Sequence, residues 1–166
     1  MYTSVIALVL ALAVPPPAVD FNNFTYRVHP CPQNVPTAAV VRRGHFSYED
    51  EKMGQGFTIS VVSVKAGSLS AGTQQAAVML ECEFPMGGTA SAYLFDVRGD
   101  RAILLGKIAD ANWGGDWGAT PDTVRITLAN GVLSVDTCER NGCDKRTITT
   151  FALHAGKLTK LSVKNY

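Results

Sequence analysis

The sequence predicts an all-β protein, an antiparallel β-sandwich or partly closed barrel of about ten short strands, and three observations predict it. Apolar residues recur at every second position in several runs, which places them on one face of an extended chain. Turn pairs containing glycine fall between those runs. Four cysteines, an even number, stand in a chain that opens with an export-type leader. Sandwich and barrel both accommodate that strand number, and the pattern does not choose between them.

The leader is residues 1–19. Val5 to Leu12 is uninterrupted and apolar, and Pro15-Pro16-Pro17 stops any helix that enters from it. The run falls short of the ~20 apolar residues that a spanning helix needs. It fits a signal peptide, with the small-x-small triplet Ala11-Leu12-Ala13 placing cleavage after Ala13 and with Ala18 as a second position. The usual basic start is missing, since no Lys or Arg precedes Arg27; a misassigned start or a buried N-terminal segment is the alternative. Cleavage leaves 20–166 as a single β domain, extracytoplasmic (periplasmic or secreted), with no stable membrane span.

Cys31, Cys82, Cys138 and Cys143 are expected to form two disulfides in that compartment. Cys138 and Cys143 flank Glu139-Arg140-Asn141-Gly142, and an Asn-Gly turn brings them into bridging range. Cys31 then pairs with Cys82. A metal bound by the C-x4-C spacing is the rival, but it lacks a second ligand pair nearby.

The strands follow in order. Phe57, Ile59 and Val61 alternate with Thr58 and Ser60, and the slip at Val61-Val62 predicts a bulge before Val64. Ala76, Val78, Leu80, Cys82 and Phe84 share one face; helix formers in Gln74–Glu81 offer a helical alternative behind Thr73, and strict alternation favours strand. Val124, Ile126 and Leu128 alternate with Thr123, Arg125 and Thr127. Arg98-Gly99-Asp100, Asn130-Gly131 and Ala155-Gly156 mark hairpin turns.

The stretch from Val62 to Cys82, with Gly67-Ser68-Leu69-Ser70-Ala71-Gly72-Thr73 inside it, resembles a segment of uncharacterised bacterial exported domains of the LppP/LprE-like lipoprotein type. Tyr93-Leu94-Phe95-Asp96-Val97, Ile103-Leu104-Leu105-Gly106 and Thr150-Phe151 also match that style. The resemblance spans residues 40–160 and implies an envelope or secreted domain without an established reaction. Where such loops are carboxylate-rich, this one carries Ser68, Ser70 and Gln75, so it reads as a turn and not a calcium site.

Composition excludes some functions. Apolar residues at 46% exclude general disorder, and a net charge of +1 gives no chain-wide field for nucleic acid or an anionic membrane. The basic residues read as scattered. His29, His45 and His154 are isolated, no G-x-S-x-G or S-x-x-K motif occurs, and Glu49-Asp50-Glu51 reads as a solvated cluster. No catalytic residue, metal ligand or cofactor is therefore assigned. Arg98-Gly99-Asp100 spells an adhesion tripeptide and reads as a turn. The sequon at Asn23-Phe24-Thr25 matters only in a eukaryotic source.

Trp113-Gly114-Gly115-Asp116-Trp117-Gly118 is the unusual feature, placed by the pattern in a long loop over 110–122. The loop either caps the core or binds a ligand, with Trp113 and Trp117 stacking on it and Asp116 orienting it. The reading is a non-catalytic binding or structural module for an unknown protein, glycan or small molecule; the alternative is an exported hydrolase whose site forms only in three dimensions. Peptide mapping without reduction is expected to link Cys31 with Cys82 and Cys138 with Cys143. Any link between the two sets rejects this pairing.

Overall fold

The computed structural model describes residues 18–31, 38–50, 54–85, 87–113, 124–139 and 145–166. Within them the chain is all-β apart from a 3-10 turn at Phe21–Asn23. Two short strands, β1 (Thr25–Tyr26) and β2 (Ala39–Val40), pair with each other. A five-stranded antiparallel meander follows: β3 (His45–Asp50), β4 (Gln55–Gly67), β5 (Gln74–Phe84), β6 (Gly87–Arg98) and β7 (Arg101–Trp113). A four-stranded meander ends the chain: β8 (Val124–Ala129), β9 (Val132–Glu139), β10 (Lys145–His154) and β11 (Lys157–Asn165). None of the three sheets closes on itself among the described residues, so the partly closed barrel is not the architecture.

The five-stranded sheet is the middle layer. On one face Phe57, Ile59, Val78, Leu80, Tyr93 and Phe95 pack against Phe21, Tyr26, Val28 and Val41 of the N-terminal segment. On the other, Ala77, Met79, Leu94 and Ile108 meet Ile126, Leu133, Val135 and Phe151 of the four-stranded sheet. β5 and β6 are consequently buried along both faces. That explains why Ala77 and Met79 are apolar between the alternating residues of the first face, a feature of strands covered on both sides.

Gln74–Phe84 is a strand, as alternation predicts, and the β4 register shifts between Val61 and Ser63, where the bulge was expected. Gly99 lies at a φ of 59°, in the turn between β6 and β7. Asn130-Gly131 and Ala155-Gly156 both adopt positive φ, as a tight two-residue hairpin requires. Arg43-Gly44 does the same between β2 and β3, a turn the pattern did not single out. The expectation of short strands needs correction: β4 and β7 run for 13 residues each. Bulges let them bend without breaking; β7 alone shifts register against β6 twice.

Cys31 and Cys82 are bridged, with Cα atoms 5.4 Å apart, and fasten the N-terminal segment to the middle sheet. No described cysteine is free. Cys143, the expected partner of Cys138, lies outside the described residues, as do the signal-peptide residues up to 17. No helix among the described residues is long and apolar enough to cross a membrane.

The bridge spans 51 residues of sequence, and closing a loop of that length is worth about 4 kcal/mol in the chain-entropy model. Replacing Cys31→Ser and Cys82→Ser together is expected to lower unfolding free energy by that order in urea titration. A double variant as stable as the parent would show that the aromatic packing alone holds the segment.

Candidate functional site

The first part of the tryptophan region, Asp110 to Trp113, is organised differently from the sequence expectation. Asp110 to Trp113 is strand, not loop: Asp110 pairs with Ser91, Ala111 with Ala90, Asn112 with Thr89 and Trp113 with Gly88. The physical reason is that β6 begins at Gly87-Gly88 and so has ladder positions opposite these residues. Asp116 and Trp117 lie outside the described residues. Of Trp113, Asp116 and Trp117, only Trp113 falls among the described residues, at the end of β7.

Two polar clusters are built around the middle sheet. In the first, Leu69 N–H donates to Gln75 Oε1 at 2.8 Å, Gln75 Nε2 donates to Asp96 Oδ1 at 3.0 Å, and Arg98 Nε donates to Asp96 Oδ2 at 2.8 Å. Gln75 is fully buried and Asp96 nearly so, and the chain of bonds pins the 68–73 loop against the sheet. Ser70 and Thr73 close that loop with their own hydroxyls, 2.8 Å apart. Ser68, Ser70 and Gln75 thus spend their polar atoms inside the fold. Arg98 of the adhesion-like tripeptide is engaged in the same way.

The second cluster sits on the opposite face of β6 and β7. Ser91 donates to Asp110 Oδ1 at 2.6 Å, and Lys107 Nζ donates to Asp110 Oδ2 at 2.9 Å. Thr89 donates its hydroxyl to the Pro30 carbonyl, beside the disulfide. The Tyr93 hydroxyl is buried and makes no hydrogen bond among the described residues. Burial pushes its phenol up to about 12, against the opposing pull of the neighbouring Ser91 hydroxyl, and the Asp110 carboxylate adds a smaller push upward. Burial raises Tyr26 more strongly still, but that hydroxyl donates to the Phe21 carbonyl at 2.7 Å.

His29, His45 and His154 are all exposed. His45 Nδ1 lies 3.0 Å from Ser60 Oγ, as directly opposed residues of β3 and β4. Glu49 and Asp50 end β3, and Glu51 lies outside the described residues. No group of three or more His, Cys, Asp or Glu among the described residues is placed to hold a metal ion.

The solvent-facing side of the four-stranded sheet is polar along most of its length. Val124, Ile126, Leu133, Val135 and Phe151 point inward, so the alternate residues point out. Register then sets them in rows across the strands. Thr127 opposes Ser134, Ser134 opposes Thr150, and Thr150 opposes Ser162, a line of four hydroxyls. The next row is Arg125, Asp136, Ile148 and Lys164. Beyond it Arg146 pairs by backbone hydrogen bonds with Tyr166, whose side chain is 69% exposed. Arg146 forks onto Asp136 through Nε at 2.8 Å and Nη2 at 2.5 Å, and this holds the carboxyl below its ordinary range. Arg125 adds to that effect from the other side.

The reading of scattered basic residues is corrected here. From Lys145 to Tyr166 the chain holds Lys145, Arg146, Lys157, Lys160 and Lys164 and no Asp or Glu. That was visible in the sequence as a carboxylate-free span, but only the register shows Lys164 and Arg125 in one row. Neither a family model, a curated protein nor a solved structure matches the chain.

The two buried phenols make a matched test. Tyr26→Phe is expected to cost about 1 kcal/mol, because it removes a made hydrogen bond, whereas Tyr93→Phe costs nothing or stabilises. Both phenols are raised, so the folded state favours their neutral forms. Their contribution is complete below pH 10 and is lost as pH climbs towards 12 for Tyr93. Tyrosinate absorbance in an alkaline titration should show these two ionising late. If Tyr93→Phe is the costlier substitution, its hydroxyl has a partner after all.

Proposed function

We propose that this chain is an extracytoplasmic, non-catalytic binding module whose working surface is the outer face of the β8–β11 sheet. The observation that carries the reading is the ordered array on that face: a row of hydroxyls beside a row and flank of cations, displayed on a sheet whose other side is fixed by the core. A rigid sheet offers its side chains at a constant spacing, which lowers the ordering cost of binding. The extracytoplasmic location draws on the Cys31–Cys82 bridge, since disulfides persist in oxidising compartments. It also draws on the leader-like apolar run over 1–19 and on the likeness to exported lipoprotein-type domains.

One observation favours the second reading, an exported hydrolase: the contact of His45 with Ser60. Nucleophilic catalysis requires the base to be oriented by a third group and the developing oxyanion to meet aligned donors. The pair instead lies among exposed strand residues, and a directly opposed His and Ser make such a contact through register alone.

The test separates the two. Labelled protein is incubated with envelope material of the producing organism, and the same preparation is assayed with activated esters. Binding is expected to fall with salt and to be lost in an Arg125→Glu, Lys164→Glu variant, while His45→Ala and Ser60→Ala bind as the parent does. Ester turnover abolished by either His45→Ala or Ser60→Ala would establish the hydrolase instead.

A further inference from the structure

We infer that the β8–β11 face takes an acidic polysaccharide, a chain of sugars bearing carboxylate or sulfate groups; this rests on the binding-module reading above.

The hydroxyl row is the first reason. Thr127, Ser134, Thr150 and Ser162 stand on four adjacent strands, so their oxygens repeat at the strand spacing of about 4.8 Å. That repeat is comparable to the length of one pyranose residue, and a sugar chain laid across the strands meets one hydroxyl per residue. Each hydroxyl both donates and accepts, which suits sugar hydroxyls in either sense. Thr150 and Ser162 already bond one another, 2.7 Å apart, so one donor and further lone pairs of that pair stay available.

Charge supplies the second reason. Arg125, Arg146, Lys157 and Lys164 project from this face and Asp136 is the one Asp or Glu among its described residues. Asp136 is neutralised by the fork from Arg146, so Lys164 and Arg125 at the two ends of its row remain to meet anions. Tyr166 adds an exposed ring beside them, a surface on which the apolar face of a sugar can stack.

The geometry disfavours a polypeptide strand. Strand addition needs an open sheet edge with a long continuous ladder; of the two edges here, β11 is interrupted by the register shift opposite Thr150 and Phe151, and β8 offers only six residues. A face of hydroxyls and cations, by contrast, recognises a polymer that brings its own acceptors and charge.

Isothermal titration of the purified protein with polygalacturonate, dextran sulfate, neutral dextran and duplex DNA tests the assignment. Expected is binding to at least one acidic polysaccharide that weakens steeply with added salt, with neutral dextran inert. The double variant Arg125→Glu, Lys164→Glu should weaken it about tenfold or more, by loss and reversal of two exposed charges. Thr150→Val with Ser162→Val should weaken it several-fold without changing the salt dependence, and Lys65→Glu on β4 should bind as the parent does. Thermal melting confirms that each variant folds. Failure to bind any acidic polysaccharide, DNA binding as tight as the glycan, or binding that survives the charge reversal would overturn the proposal. Salt-dependent capture by envelope material through the same residues, without binding to these polymers, would leave the binding module standing and remove its ligand.

Discussion

The structure depends on one constraint: β5 and β6 are apolar on both faces, so the sheet they centre must be covered twice. A meander of five strands can cover neither face with its own residues, because alternate side chains always point both ways. The four-stranded sheet covers one face with the inward side of an ordinary half-buried sheet. The other is covered by the N-terminal segment, whose strands are only two residues long and cannot hold themselves by pairing. Two devices hold that segment. Phe21, Phe24 and Tyr26 pack ring to ring with Phe95 at centroid separations of 5.5–6.2 Å, and the disulfide restricts the chain between Cys31 and Cys82. Tyr26 then ties the segment to itself through the Phe21 carbonyl.

The open sheets leave edges, and three of them, β3, β7 and β11, carry something that discourages pairing with a second chain. β7 is bent by two register shifts, β11 by one, and β3 ends in Glu49 and Asp50. Lys157, Lys160 and Lys164 add like charge along β11, which opposes the approach of another β11. Leu161 and Val163 are about half exposed on that strand and would otherwise invite it. Close approach between the layers has its own requirement: a Cβ at Gly67 would collide with the Leu128 side chain, so glycine lets the end of β4 meet β8.

Much of this architecture is legible in the sequence. Alternation locates β4, β5 and β8 and the bulge after Val61, and glycine pairs locate three hairpins, because these signals act within a few residues. What is not legible depends on which strand lies beside which. Gln75 and Asp96 read as ordinary residues of two separate runs; their bond exists because register places them opposite each other in a buried layer. Their phase, inward beside Ala77 and Leu94, was the available signal. The sequence pattern starts the tryptophan loop too early, because Asp110 to Trp113 read as the edge of a glycine-rich stretch, whereas Gly88 to Ser91 of β6 are their pairing partners. The candidate site was missed for the same reason: Arg125, Asp136 and Lys164 are far apart in sequence and become neighbours only through three successive hairpins.

Net charge is the sequence property that misleads most. A value of +1 argues against a strong field, yet it is a sum over a chain that segregates its charges. Asp and Glu run from Asp20 to Asp144 and then stop, while five of the cations follow. Folding keeps that asymmetry, because the last two strands form one side of one sheet and are not interleaved with the acidic strands β3 and β5. A local cationic face on a nearly neutral protein has a particular consequence. It attracts anions within roughly 8–10 Å at physiological salt while the whole molecule stays weakly charged at longer range. Such a surface selects polymers that can lie flat and present many anions at once, and it resists indiscriminate capture of every polyanion, since the number of contacts is limited to the few cations of the face. The hydroxyl row then decides among those polymers by directional bonds that a point charge cannot make.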